Sequence, residues 1–290
     1  MSLLLQLVAN GLLLGGAYAI ISIGLTLIFG VVRVVNFAHG EFLMIGMYAA
    51  WMCAHFWGLH PYVAAPVVVI LLFGLGALMQ RFVIQRLLSA DPHIQVFATV
   101  GVSTALLNLA LMVFGADLRK VEFSVGTQNL SVGSLSFVSG QLVTFVMAFV
   151  VAGAMHLFLA RTYTGRAFRA LAQNRTASAL MGVNVRRTYV LAFGMGGALV
   201  GVASCLLSVQ YPVFPTVGTY FVLTAFVIVV LGGMGSLPGA VVGAMFIGLI
   251  DSLAGYYVGP DLKEVVYFVI FLVILVIRPT GLFGLGRGSE

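Results

Sequence analysis

RTYTGRAFRALAQNRTASALMGVNVRR, residues 161–187, holds six arginines and no acidic residue. The chain around it is 61% hydrophobic and only 8% charged. Soluble domains are about 25% charged, so this chain has too few polar groups to cover a water-facing surface. An arginine-rich loop set between long apolar stretches fixes the sidedness of a membrane protein, because Lys and Arg collect in cytoplasmic loops. The pI near 9.6 therefore points to topology and not to nucleic acid, since the basic residues are not interleaved with a solvated surface.

Working outward from that loop, a spanning helix needs about 20 mostly apolar residues. Nine stretches qualify or nearly so: 4–31, 41–57, 62–84, 94–114, 139–160, 188–209, 219–233, 237–256 and 264–278. If the arginine loop is cytoplasmic, alternation puts Arg33, Arg81, Arg86, the six loop arginines, Arg278 and Arg287 inside, and Arg119, Lys120 and Lys263 outside. That split predicts N-terminus out and C-terminus in. Nine spans satisfy the parity; with eight, 41–57 or 219–233 is re-entrant. The expected fold is all-α, a polytopic transmembrane bundle of about 8–9 spans forming one transmembrane domain over 1–290. The N-terminus has no basic flank and runs directly into an apolar stretch, so it reads as the first span and not as a cleaved signal.

Segment 115–138 differs. VEFSVGTQNLSVGSLSF alternates apolar residues with Ser, Gly and Thr, which predicts a small β-hairpin outside the membrane. It either caps the helices or meets an external protein partner. Glycines four residues apart (Gly11/Gly15, Gly197/Gly201, Gly235/Gly239/Gly243) let helices approach closely in lipid, and packing is the expected role. Cys53 and Cys205 lie in apolar stretches with no metal spacing and no disulfide framework.

Polar residues inside spans are candidate functional groups, because a mid-membrane charge costs about 2.5–3.5 kcal/mol on insertion scales. Asn36, His39, Gly40 and Glu41 form a short break between two apolar stretches, read as a pathway or gate lining; the alternative is a cytoplasmic turn with Glu41 favoured by a helix dipole. Gly232, Gly233, Gly235 and Ser236 lie in a second break, Leu231–Gly239, whose glycines and Pro238 cannot continue a lipid-facing helix. The two breaks are candidate counterparts in weakly related halves. Asp251 needs an Arg, a backbone donor or a watery cavity to satisfy it. Asn108 and Gln210 are expected to bridge helices more than to line a path.

The chain holds only two lysines, Lys120 and Lys263. Neither stands in G-x-x-x-x-G-K-[ST], so the chain cannot hydrolyse ATP by P-loop chemistry. H-E-x-x-H and G-x-S-x-G are absent too, which leaves an enzyme reading weak. A self-sufficient secondary transporter or channel is the rival from another class, and Asp251 alone is thin provision for ion coupling.

Within the arginine loop, Thr162 or Thr164 can cap a helix, Ala167, Phe168, Leu171, Ala179, Leu180 and Met181 recur at helical spacing, and Gly182 suits a C-terminal stop. Apolar residues ringed by Arg predict docking into a groove on a partner, against the alternative of a basic helix lying on anionic lipid. Gly165, Arg166, Arg169, Ala170, Ala172, Asn174, Ala179 and Gly182 are the candidate contacts.

Over nearly its whole length the chain resembles the permease subunits of branched-chain amino-acid ABC importers, the LivH type. The matching stretches are GLTLIFGVVRVVNFAHGEFLMIGMYAA (24–50), TVGVSTALLN (99–108), residues 161–187, VLGGMGSLPGAVVGA (230–244) and RPTGLFG (278–284). The resemblance implies a multi-pass protein of the bacterial inner membrane that pairs with a second homologous permease, two cytoplasmic ATPases and a periplasmic solute-binding protein. It implies that 165–182 is the ATPase-coupling segment, that this chain binds no cofactor, and that ATP and Mg sit on the partner ATPases. Related permeases carry urea, short amides and other amino or carboxylic acids.

Overall fold

The computed structural model describes residues 2–121, 123, 126–132, 135–260, 262–278 and 281–283. The chain is mostly helical. α1 (Ser2–Val32), α2 (His39–Trp57) and α3 (Pro61–Met79) are followed by a π-helical turn (Gln80–Ile84) and the short α4 (Gln85–Leu87). Then come α5 (Pro92–Phe114), strands β1 (Asn129–Val132) and β2 (Leu135–Val138), and α6 (Ser139–Arg161). The arginine loop forms α7 (Tyr163–Gln173) and α8 (Arg175–Leu180). The chain finishes with α9 (Val185–Leu207), α10 (Val217–Gly232), α11 (Leu237–Tyr257) and α12 (Lys263–Ile277).

Each of the nine apolar stretches folds as a helix, but among the described residues only six helices are long and apolar enough to cross a membrane. α10, with 16 residues, and α12, with 15, are shorter. At 1.5 Å per residue they reach about 22–24 Å, less than the hydrocarbon core of about 30 Å. Six full-length candidates thus stand beside the expected eight or nine spans.

Glycines set the helix crossings. A side chain at Gly11 or Gly15 would strike α11 at Gly248 and Ala244, and one at Gly76, Gly197 or Gly201 would strike backbone across the α3–α9 contact. Close backbone approach replaces the hydrophobic drive that lipid cannot supply. α1 and α9 form the buried centre, whereas α5 and α6 expose most of their apolar side chains in the manner of lipid-facing helices.

The hairpin is smaller than 115–138. Its strands pair antiparallel in the register Asn129↔Val138 to Val132↔Leu135, and Gln6 of α1 ties to it through Ser136 with bonds of 2.7 and 3.0 Å. Upstream, Arg119 instead bridges Val213 and lays its guanidinium 4.5 Å from the Trp51 ring. Glu122 and Gly133 of the expected hairpin, and Arg287 of the tail, lie outside the described residues.

Candidate translocation and coupling site

The first break is buried in protein and is not a solvated turn. α1 ends at Val32, the chain doubles back, and α2 starts at His39. Asn36, His39 and Glu41 are all buried. Asn36 Oδ1 accepts from the Ala38 N–H at 3.1 Å and initiates the turn. His39 Nε2 lies 3.2 Å from the Ile21 carbonyl, and its ring rests on the bare backbone of Gly24, which itself abuts Gly196. Gly196 is the middle of α9, so α2 begins halfway through the bundle. Gly40 meets Gly218 at backbone contact, which places the starts of α2 and α10 together at this depth. Asn36 Nδ2, His39 Nδ1 and Glu41 Oε2 have no hydrogen-bond partner among the described residues. Three orphaned buried polar atoms are costly in a static core.

The second break lies elsewhere. Gly232 packs on Gly239, and Gly235 lies against Gly30 at the end of α1. Gly233 and Gly235 have φ of 99° and 91°, conformations that favour glycine, and Ser236 Oγ caps α11 by accepting from the Gly239 N–H at 3.2 Å. The tail crosses here, with the Leu282 N–H donating to the Leu231 carbonyl at 2.8 Å and the Phe283 N–H to the Gly232 carbonyl at 3.2 Å. The two breaks are not in contact with each other. They touch opposite ends of α10, fourteen residues or about 21 Å apart.

The arginine loop corrects the expected single helix. Asn174, extended at φ −148° and ψ 110°, ends α7 and caps α8 by accepting from the Ala177 N–H at 2.9 Å. Thr162, and not Thr164, caps α7, accepting from the Gly165 N–H at 2.9 Å. Gly182 follows α8 at φ +88°. Half of the supposed docking face is spent inside the chain: Ala167, Phe168 and Leu171 are buried, and Gly165 fits against the Phe158 and Leu159 backbone of α6. Ala170 and Ala172 are half-buried, while Arg166, Arg169, Asn174 and Ala179 are exposed. The free apolar surface is instead Leu180 and Met181, 84% and 85% exposed, at the tip of α8. Arg33 Nη2 donates to the Ala172 carbonyl at 2.7 Å, joining the end of α1 to the end of α7.

The remaining intramembrane polar residues sort cleanly. Asp251 is met by a lysine, not an arginine: Lys263 Nζ lies 2.7 Å from Oδ1 and Tyr18 donates to Oδ2 at 2.5 Å, tying α1, α11 and α12. Gln210 bridges to α6, donating to Thr144 Oγ1 at 2.7 Å and to the Gly140 carbonyl at 3.2 Å. Asn108 bridges to no other helix among the described residues; it donates to the Thr104 carbonyl of its own helix at 2.8 Å and is exposed. Sequence reasoning missed the roles of Lys263, Tyr18 and Arg33. Only their isolation among apolar neighbours marks them.

Six helices long and apolar enough to cross a membrane, a buried break between α1 and α2 and a basic loop presenting an apolar tip are features that suit a membrane permease. The chain is a member of the family described as branched-chain amino acid transport system, permease component, whose model matches residues 7–275. It is 31% identical to the high-affinity branched-chain amino acid transport system permease protein BraD of Pseudomonas aeruginosa, covering 97% of this chain and 95% of that one. It is 32% identical to LivH of Escherichia coli, a high-affinity branched-chain amino acid transport system permease protein, with the same coverage. A probable LivH of Methanocaldococcus jannaschii is 28% identical, covering 91% of this chain and 88% of that one. No solved structure matches the chain.

Proposed function

We propose that this chain is an inner-membrane permease subunit of an ATP-driven importer for branched-chain amino acids. Family membership over residues 7–275 is the observation that carries this reading. The chain works with a second homologous permease, two cytoplasmic ATPases that hold ATP and Mg, and a periplasmic binding protein that delivers the solute. The described basic residues at the arginine end (Arg33, Arg81, Arg86, the loop and Arg278) outnumber Arg119, Lys120 and Lys263 at the hairpin end, which favours the arginine end as cytoplasmic and the N-terminus as outside. α2, α10 and α12 complete the passages that the six long helices leave unfinished.

In this reading α7 and α8 are the coupling segment, with Leu180 and Met181 as the apolar anchor and Arg166, Arg169, Ala179 and Gly182 around it. ATP binding on the partners moves α7, and the Arg33–Ala172 bond transmits that movement to the end of α1. The gate is the meeting of α2 and α10 at His39, Gly40 and Gly218, and the Gly232–Ser236 break is the hinge at the cytoplasmic end of α10. Affinity purification of the tagged chain from solubilised membranes tests the assembly: two ATPases and a second permease should come with it. A chain that purifies alone and still transports belongs to a self-sufficient transporter instead.

Two variants probe the parts. Leu180→Glu with Met181→Glu, both at exposed positions, should leave folding within about 0.5 kcal/mol per site while weakening ATPase capture by about 2 kcal/mol or more, the scale of an interface anchor. Pull-down yield and unfolding temperature read the two effects separately. His39→Leu should leave assembly intact and lower uptake by about tenfold, equal to about 1.4 kcal/mol on the barrier. Wild-type uptake in that variant removes His39 from the gate.

A further inference from the structure

At the arginine end, the last turn of α1, the start of α5, the end of α7 and the starts of α8 and α9 line a half-open cavity of about 450 Å³. Arg33, Arg175, Tyr189, Gln95 and Asn174 give it polar walls, and Leu171 with the valines of α1 gives it an apolar floor. No carboxylate lines it. The nearest in sequence, Asp91, spends its Oδ1 on the His93 N–H at 2.9 Å.

Three details mark the cavity as a built site. Arg33 is the only non-glycine residue with positive φ, at 60°, among the described residues; such strain collects at ligand sites. Its single side-chain hydrogen bond among the described residues, to the Ala172 carbonyl, leaves most of its guanidinium donors free of them. Arg175 makes no hydrogen bond through its side chain among the described residues and rests 5.8 Å from the Tyr189 ring. The amides have spare capacity suited to hydroxyls. Gln95 uses its Nε2 on the Leu87 and Ala90 carbonyls, which frees Oε1, and Asn174 uses Oδ1 on its cap, which frees Nδ2.

We propose that this cavity binds a phosphate ester, with the phosphate held between Arg33 and Arg175 and hydroxyls of the ester at Gln95 and Asn174. Paired guanidinium groups match phosphate oxygens in geometry as well as charge. The volume lies within the about 300–1,000 Å³ of small-molecule sites, more than a bare phosphate fills. Basic pockets at the cytoplasmic ends of spanning helices take such groups from anionic lipid headgroups, and a soluble phosphomonoester offers the same chemistry. An occupant would brace α1 against α7 and α8; that consequence rests on the coupling reading, whereas binding itself does not.

The full chain in phosphatidylcholine nanodiscs, with its unfolding temperature followed by fluorescence, supplies the test. Phosphatidylglycerol in the disc, or glycerol phosphate in solution, is the probe. A rise with phosphatidylglycerol alone assigns a lipid headgroup; a rise with glycerol phosphate assigns a soluble ester. Arg33→Gln and Arg175→Gln should each weaken binding of the effective probe about tenfold or more, the worth of a hydrogen bond to a charged group. Arg175→Gln breaks no side-chain hydrogen bond among the described residues and loses only the contact with the Tyr189 ring, and its unfolding temperature without probe separates a loss of binding from misfolding. The proposal is overturned if neither probe raises the unfolding temperature, which would leave the cavity to a carboxylate of a partner protein, or if Arg175→Gln responds as fully as the wild type.

Discussion

Gly218→Leu should prevent the native packing of α2 on α10. A side chain there meets the Gly40 carbonyl and the Glu41 N–H, which are backbone atoms and cannot swing aside. Overpacking against movable side chains costs about 1–3 kcal/mol, so a clash with backbone at the buried middle of the bundle should cost at least about 3 kcal/mol. The expected observation is loss of monodisperse protein on extraction, or a large drop in unfolding temperature. Gly153→Leu is the control, since nothing lies within 4 Å of a side chain at that position on α6. If both variants behave alike, the two helix starts do not meet as described.

Lys263→Met should be nearly as damaging for a different reason. It strands Asp251, only 3% exposed, with Tyr18 as its sole remaining side-chain partner among the described residues. Breaking a buried pair from one side costs up to about 3–5 kcal/mol, and the 21% exposure of Lys263 places the cost toward the lower figure. Lys263→Met combined with Asp251→Asn removes both charges and should recover most of the loss. Lys263 also sits 5.7 Å from the Tyr220 ring, and Thr224 and Tyr267 exchange a bond of 3.2 Å nearby, so the pair fastens α12 to α10 as well as to α11. A double variant no better than the single would mean that the ion pair is not what joins these helices.

The difference between what was legible in the sequence and what was not has a physical origin. Apolar length and the arginine loop are properties of single segments, and the nine helices follow from them directly. Depth is a property of pairs. Nothing local to Asn36–Glu41 shows that α2 starts opposite the middle of α9, because that depends on Gly24 and Gly218 presenting bare backbone to it and on Gly196 packing against Gly24. Which end of α10 each break touches was hidden likewise, since placement along the chain does not report it. In the coupling loop, helical periodicity ran unbroken through Asn174, and only the cap it forms reveals the break. The same periodicity could not tell that Phe168 and Leu171 face the chain itself while Leu180 and Met181 face outward. Asp251 announced a need for a partner, and Lys263, twelve residues on, was visible but unassigned because the turn between α11 and α12 had to be seen to bring them together.

The most direct measurement is uptake of labelled leucine by proteoliposomes that contain the chain with its co-purified partners and the binding protein outside. Uptake that requires ATP and disappears when Leu180 and Met181 are both replaced by glutamate is the predicted result. Uptake of equal rate without ATP, or unchanged in that variant, would contradict the account.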